Sequence, residues 1–242
     1  MKIMKKLPLF LIFCLLFSCD NFQLSDEEIA AGLKSALEVG SKYALNTLGS
    51  EDGFYRDLAV KIGLPEDVAK AVKEISKAPL LSPTIKKIET DLLLTINRAA
   101  EASIEDVIPI VVNAITDMTV QDANSILFSS NNIAATDYLR KKTYNPLCDV
   151  CHSVIAGALN KEIVFNTSAQ DVWKNFTECY NTAATISFLH LEPVTTDLAT
   201  YTTQKALDGV FVKVGDEEVK IRTDVNARVN DLLRKVFGQL DK

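Results

Sequence analysis

One stretch of the chain has the residue types and spacing of a cofactor attachment site. Cys148 and Cys151 are separated by two residues, and His152 follows directly. In exported proteins this Cys-x-x-Cys-His pattern attaches a c-type haem, since the two thiols bond the haem vinyl groups and the histidine ligates the iron. The second axial ligand would be Met118, His190 or another side chain supplied by the fold.

The same three residues also have simpler interpretations. The motif lies within a run of apolar residues at helical spacing, in which Leu147, Cys151 and Ile155 share one face. Cysteines are common on buried faces, so we favour plain thiols, with a Cys148–Cys151 disulfide as the next alternative and a haem after that. Cys179 makes the number of mature thiols odd, which does not suit a disulfide framework. We expect no metal site, because zinc ligands would be crowded along one helix.

The start of the chain predicts a different modification, the acylation of Cys19. Three lysines lie within residues 1–6, residues 7–17 are almost entirely apolar, and Ser18 precedes the cysteine. This order is typical of a lipoprotein signal peptide, and the apolar run is too short to span about 30 Å of hydrocarbon. Residues 1–18 are then the cleaved signal, and residues 19–25 are the acylated tether.

Charge restricts the partners of the mature protein. The leader contains three of the 26 basic residues and none of the 32 acidic ones, which leaves 23 bases and a net charge of −9. Such a surface repels nucleic acid and anionic headgroups, so we expect membrane attachment through acyl chains alone. We place the protein in the cell envelope, at the periplasmic face of the outer membrane.

The remaining residues predict an all-α fold, a bundle of about eight helices in one domain, 26–242. Only nine glycines are present, and hairpin dipeptides are nearly absent. Ser25 and Glu28 predict a capping box for a first helix that ends near Gly49. Apolar periodicity and start signals predict the other helices: 65–76, 84–102, two short helices after 103 and 119, 133–159 with a kink at Pro146, and three that begin at 168, 196 and 224.

Five separated stretches of this sequence resemble a bacterial family in order along the chain. They are Gly32–Leu37, Asp52–Phe54, Asn97–Ala102, Ala134–Arg140 and Thr203–Phe211. They look like the exported helical proteins called domain of unknown function 4197. The resemblance implies an exported, mostly helical domain that is often lipid-anchored, and it implies no activity. The Cys-x-x-Cys-His stretch departs from the family pattern, which counts further against haem.

Polar residues within these stretches are the remaining site candidates. Helical spacing allows Arg98 to pair with Glu101, Asp137 with Arg140, and Lys205 with Asp208. We expect them to tie helices together, and the alternative is a polar ligand site between helices. The full candidate set is Asn97, Arg98, Glu101, Asp137, Arg140, Gln204, Lys205 and Asp208.

These observations predict a lipid-anchored interaction or ligand-binding module with no catalytic residues and no cofactor besides the lipid on Cys19. Its partners would be the membrane, through acyl chains, and an envelope protein or a small ligand. An alternative is an envelope enzyme that uses Glu101 or Asp208 as a base with a raised pKa. A third alternative is electron transfer through a haem at Cys148, Cys151 and His152.

Overall fold

A computed structural model describes residues 24–164, 166–185 and 191–241. Cys19, the signal peptide and His190 lie outside these residues. In the described ranges the chain forms eight α-helices and no β-strand beyond an isolated bridge between Val164 and Thr167, which confirms the predicted all-α bundle. The helices are α1 (Asp26–Leu48), α2 (Glu66–Ile75), α3 (Ser82–Asp117), α4 (Ala123–Leu127), α5 (Ala134–Leu159), α6 (Ala169–Ala184), α7 (Leu198–Thr223) and α8 (Asp231–Phe237).

Four long helices build the centre of the molecule. α1 packs on α3 and α7, and α5 packs on the same two helices, so that α1, α3, α5 and α7 surround one hydrophobic core. The shorter α2 and α6 pack on α3, and α8 packs on α1. None of the described helices is long and apolar enough to cross a membrane.

The ends of α1 show how local sequence signals act. The Ser25 hydroxyl accepts a hydrogen bond from the Glu28 amide at 3.2 Å, and the Glu28 carboxylate accepts one from the Ser25 amide at 3.1 Å, which confirms the capping box. Gly49 follows the helix, but its φ of −78° needs no glycine. A Cβ there would lie 3.0 Å from Cγ2 of Ile104, so the residue is small because α3 passes close by.

Two predicted helix starts are wrong. Ser103 does not begin a helix, because it lies inside α3, which is a single helix of 36 residues. Its buried hydroxyl donates to the Ala100 carbonyl at 2.7 Å, so the residue is satisfied within the helix. Asp224 caps only a 3₁₀ turn, and the last helix begins seven residues later, at Asp231, with Asn230 accepting from the Leu233 amide at 2.9 Å.

Candidate functional site

Asn97 and Glu101 of α3 hold the irregular segment between α1 and α2, which we call the 49–65 loop. One Glu101 carboxylate oxygen accepts hydrogen bonds from the Phe54 and Tyr55 amides, each at 3.0 Å. The Asn97 side chain accepts from the Ile62 amide at 2.9 Å and donates to the Ile62 carbonyl at 2.8 Å. The loop has no helix or strand to satisfy its backbone, so these two side chains supply the partners.

Arg98 closes this arrangement on its outer side. Its guanidinium donates to the second Glu101 oxygen at 2.5 Å and to Asp52 at 2.6 Å. Asp52 has a φ of 67°, so the turn that carries it is in the left-handed region. The predicted Arg98–Glu101 pair is therefore present. Arg98 also holds the turn at Asp52, a contact that the spacing of residues in the sequence did not predict.

Three of the other candidates form a second network between α5 and α7. Arg140 donates to Asp208 at 2.5 Å, Tyr144 donates to the same oxygen at 3.1 Å, and the Lys205 ammonium lies 3.9 Å from the other oxygen. The predicted pair of Asp137 with Arg140 is wrong, because Arg140 reaches across to α7 instead. Asp137 accepts from the Asn131 side chain at 2.8 Å.

Gln204 contributes little to this second network. Its backbone carbonyl accepts a long hydrogen bond of 3.4 Å from Tyr144, and the residue borders a polar depression. Six of the eight sequence candidates thus lie in two separate networks, one on the 49–65 loop and one between α5 and α7. Gln204 lies at the edge of the second network, and Asp137 belongs to neither. The eight candidates do not converge on one polar pocket.

Sequence reasoning missed the most buried ion pair in the described chain, Glu218 with Arg222 on α7, each 2% exposed. Glu218 accepts from the Ala135 and Thr136 amides at 3.0 and 2.7 Å, at the start of α5. Arg222 donates to the Leu127 carbonyl at 2.8 Å, at the end of α4. The negative Glu218 thus lies at the positive N-terminal end of the α5 dipole, and the positive Arg222 lies at the negative C-terminal end of the α4 dipole. The four-residue spacing of a glutamate and an arginine within an apolar helix was the available signal.

The three mature cysteines in the described chain are free thiols. Cys151 is 0% exposed, and burial raises the pKa of its thiol to about 11. Burial also raises the pKa of the Cys148 thiol. Thiolates are the reactive form of cysteine, so neither residue has the environment of a nucleophile.

The Cys-x-x-Cys-His residues do not fit a covalent haem. A haem must bond both thiols, whereas the Cys151 side chain is enclosed in the core and Cys148 and His152 line a polar depression outside it. Met118, a candidate for the second axial ligand of the haem iron, is buried in the core. Within the described ranges no three histidine, cysteine or carboxylate side chains are grouped so as to hold a metal ion.

An apolar groove lies between α5 and the C-terminal half of α3, and we call it the α3–α5 groove. Its volume is about 440 Å³. The Tyr138 hydroxyl donates to the Thr119 carbonyl at 2.8 Å and accepts from the Gln121 amide at 3.2 Å, which fixes the chain after α3 at one end of the groove. The residues that line it are Ile110, Ala114, Asp117, Met118, Thr119, Gln121, Tyr138, Lys142, Thr143, Pro146, Leu147 and Val150.

A second apolar groove, of about 610 Å³, lies between α3 and α6. Ile85 and Ile88 of α3 and Phe176 of α6 form much of its wall. Two other lining residues, Ala183 and Leu191, flank residues 186–190, which the structure does not describe. The α3–α5 groove is the one whose walls consist of continuous described chain.

No curated protein and no solved structure has a significant match to the chain. A family model does match it, over residues 23–238, which includes every helix described above. The chain therefore belongs to the family described as Protein of unknown function (DUF4197).

Proposed function

We propose that this protein is a lipid-anchored, non-catalytic module of the cell envelope that holds a small apolar ligand in the α3–α5 groove. The proposal rests on the contrast between the polar candidate residues, whose side chains already have partners within the protein, and the α3–α5 groove, which is open to a ligand. The polar side chains that resembled a site are already bonded to each other and to backbone, whereas the α3–α5 groove is open and mostly apolar. Ligand sites in helical bundles lie between helices and are mostly apolar.

The surroundings of the Glu101 and Asp208 carboxylates favour a structural role for both residues over a catalytic one. Both oxygens of Glu101 are occupied, by two backbone amides and by Arg98. Asp208 faces Arg140, Lys205 and the Tyr144 hydroxyl. A general base with a raised pKa needs burial without such donors and cations, because these stabilise the ionised form.

The leader and the charge support the anchor. Residues 1–19 have the order of a lipoprotein signal, and the mature chain carries a net charge of −9. Acyl chains on Cys19 would supply a membrane affinity that this surface does not provide. We place the protein at the periplasmic face of the outer membrane.

Metabolic labelling tests the anchor. Wild type should incorporate radiolabelled palmitate and stay with membranes after a salt wash, and Cys19→Ala should incorporate none. A second variant, with residues 1–19 replaced by a signal peptide that is cleaved without acylation, should be released from membranes. If this second variant still sediments with membranes, the acyl chains are not the attachment.

Mass spectrometry of organic extracts tests ligand binding. A small molecule should co-purify with wild type and be lost from Ala114→Phe, since the new ring would fill the groove. Ala102→Phe is the matched control, because Ala102 is an exposed residue of the same helix. The absence of any co-purifying molecule, or equal amounts in all three proteins, would contradict a ligand-binding role for the groove.

A further inference from the structure

The α3–α5 groove has the length of one acyl chain. Tyr138, Lys142, Pro146 and Val150 border it at four-residue intervals along α5. At a rise of 1.5 Å per residue, the interval from Tyr138 to Val150 is about 18 Å. One leaflet of a bilayer has a hydrocarbon thickness of about 15 Å, half of the about 30 Å core. Val150 is 54% exposed, so the groove is open at that end.

A basic depression adjoins the groove along one side. It has a volume of about 460 Å³, and it shares Lys142 and Pro146 with the groove. The remaining residues around the depression are Asp137, Arg140, Lys141, Tyr144 and Asn145.

Some charged residues of the basic depression have partners within the protein, and two lysines have no carboxylate partner among the residues that the structure describes. Asp208 pairs with Arg140, and Asn131 donates to Asp137. Lys141 and Lys142 form no ion pair with any carboxylate of the described chain. The Lys142 ammonium lies 5.5 Å from the centre of the Tyr138 ring, at the boundary with the apolar groove. Two unmatched cations beside an apolar groove are complementary to an amphiphile with an anionic headgroup.

The groove also lies at the end of the molecule from which the tether leaves. The Lys34 ammonium of α1 donates to the Thr116 carbonyl at 2.6 Å, two residues before Met118 in the groove wall. The Asn124 side chain donates to Asp26, the first residue of α1. Residues 19–25 reach at most about 25 Å when fully extended. An acylated Cys19 would therefore hold this end of the bundle close to the membrane surface.

We propose that the α3–α5 groove and the basic depression together bind a single-chain anionic phospholipid. Its acyl chain lies along α3 and α5, and its phosphate contacts Lys141 and Lys142. The inference rests on the proposed function, because the lipid anchor places the groove beside the membrane that supplies the ligand. The depression also carries Asn145 and Asp137, which can hydrogen-bond the hydroxyls of a phosphoglycerol headgroup, whereas a fatty acid has no group besides its carboxylate to contact them.

Native mass spectrometry of the mature acylated protein in phosphatidylcholine nanodiscs tests this proposal. The probes are palmitoyl lysophosphatidylglycerol, the matching lysophosphatidylcholine and palmitate. One lysophosphatidylglycerol per protein should bind at concentrations at which the other two probes leave the protein empty. Lys141→Ala/Lys142→Ala should weaken this binding about tenfold, since charge-assisted contacts to phosphate are lost. Lys86→Ala/Lys87→Ala removes an equal charge at the other end of α3 and should bind like wild type.

The results separate this inference from the function on which it rests. Equal binding of lysophosphatidylcholine, tighter binding of palmitate, or unchanged binding by Lys141→Ala/Lys142→Ala overturns the phospholipid assignment. If these results occur while Ala114→Phe still removes a co-purifying molecule, the groove is a ligand site for another class of compound. If no probe binds and no molecule co-purifies, the ligand-binding function fails as well.

Discussion

The middle and the C-terminal part of α3 face neighbours of different kinds. At Asn97, Arg98 and Glu101 the helix faces a loop without secondary structure, and these three side chains hold the loop by hydrogen bonds and ion pairs. Between Ile110 and Met118 the same helix faces α5 across an open apolar groove. The polar side chains that were candidates for a functional site thus bind the 49–65 loop, whereas the apolar side chains around the α3–α5 groove leave space for a ligand. In a helical bundle, the open space is the better indicator of a site.

Among substitutions in the two regions, Glu101→Ala should reduce stability most. The substitution leaves two backbone amides beneath the 49–65 loop without their acceptor and removes one of the two close carboxylate partners of Arg98. Breaking such a buried pair costs about 3–5 kcal/mol. The melting temperature should fall by about 10 °C. Glu105→Ala, at an exposed position of the same helix, should melt within about 1 °C of wild type. If both variants melt alike, the closed network does not stabilise the fold.

Asn97→Ala should have the next largest effect. It removes both hydrogen bonds to Ile62, and each buried backbone group left unsatisfied costs about 1–3 kcal/mol. Hydrogen exchange should accelerate at the Ile62 amide more than at amides of α5 and α7. Uniform acceleration over the whole molecule would show that the 49–65 loop and the bundle unfold as one unit.

Cys151→Ala should cost about 1–2 kcal/mol, because it opens a small cavity in the core. Cys179→Ala is the matched control, since Cys179 is exposed, and it should change stability little. Thiol titration of the denatured, unreduced mature protein should find three free thiols in the domain. A count of one would indicate a disulfide, and a mass increment of haem size would restore the cofactor interpretation.

Asp208→Asn should have the smallest effect on stability, less than about 1 kcal/mol, because Arg140 and Asp208 are both partly exposed. Its main effect should be on Tyr144. Burial and then the charge of Asp208 raise the pKa of Tyr144 from 10.0 to about 12. The folded state thus binds this proton more tightly than the unfolded state, so the stabilisation is complete below pH 10 and is lost as the pH rises toward 12.

Ultraviolet titration of tyrosine ionisation measures this shift. In Asp208→Asn, one tyrosine should ionise closer to pH 10 than it does in wild type. Asp216→Asn, an exposed residue further along α7, serves as the control and should leave the profile unchanged. An unaltered profile in Asp208→Asn would mean that the charge of Asp208 does not raise the pKa of Tyr144.

Local signals along the chain predicted more of the fold than of the site. The capping box at Ser25 and the helical periodicities depend on residues a few positions apart, so they are visible in the sequence. The contacts of Glu101 with Phe54 and of Arg140 with Asp208 join residues 47 and 68 positions apart, and no spacing rule connects them. The α3–α5 groove depends on how two helix faces meet, which apolar periodicity alone does not determine.

The contact between the first and last helices has a consequence for the biogenesis of the protein. A Cβ on Gly32 of α1 would lie 2.5 Å from Cγ2 of Val236 in α8, so the Val236 side chain packs directly on the backbone of α1. The Lys235 ammonium also pairs with Glu28, 207 positions earlier. Since contacts between distant residues form late, α1 stays partly uncovered until the whole chain has been synthesised and exported. During that interval its apolar face is open to chaperones and proteases, and a chain truncated before α8 would remain exposed to them.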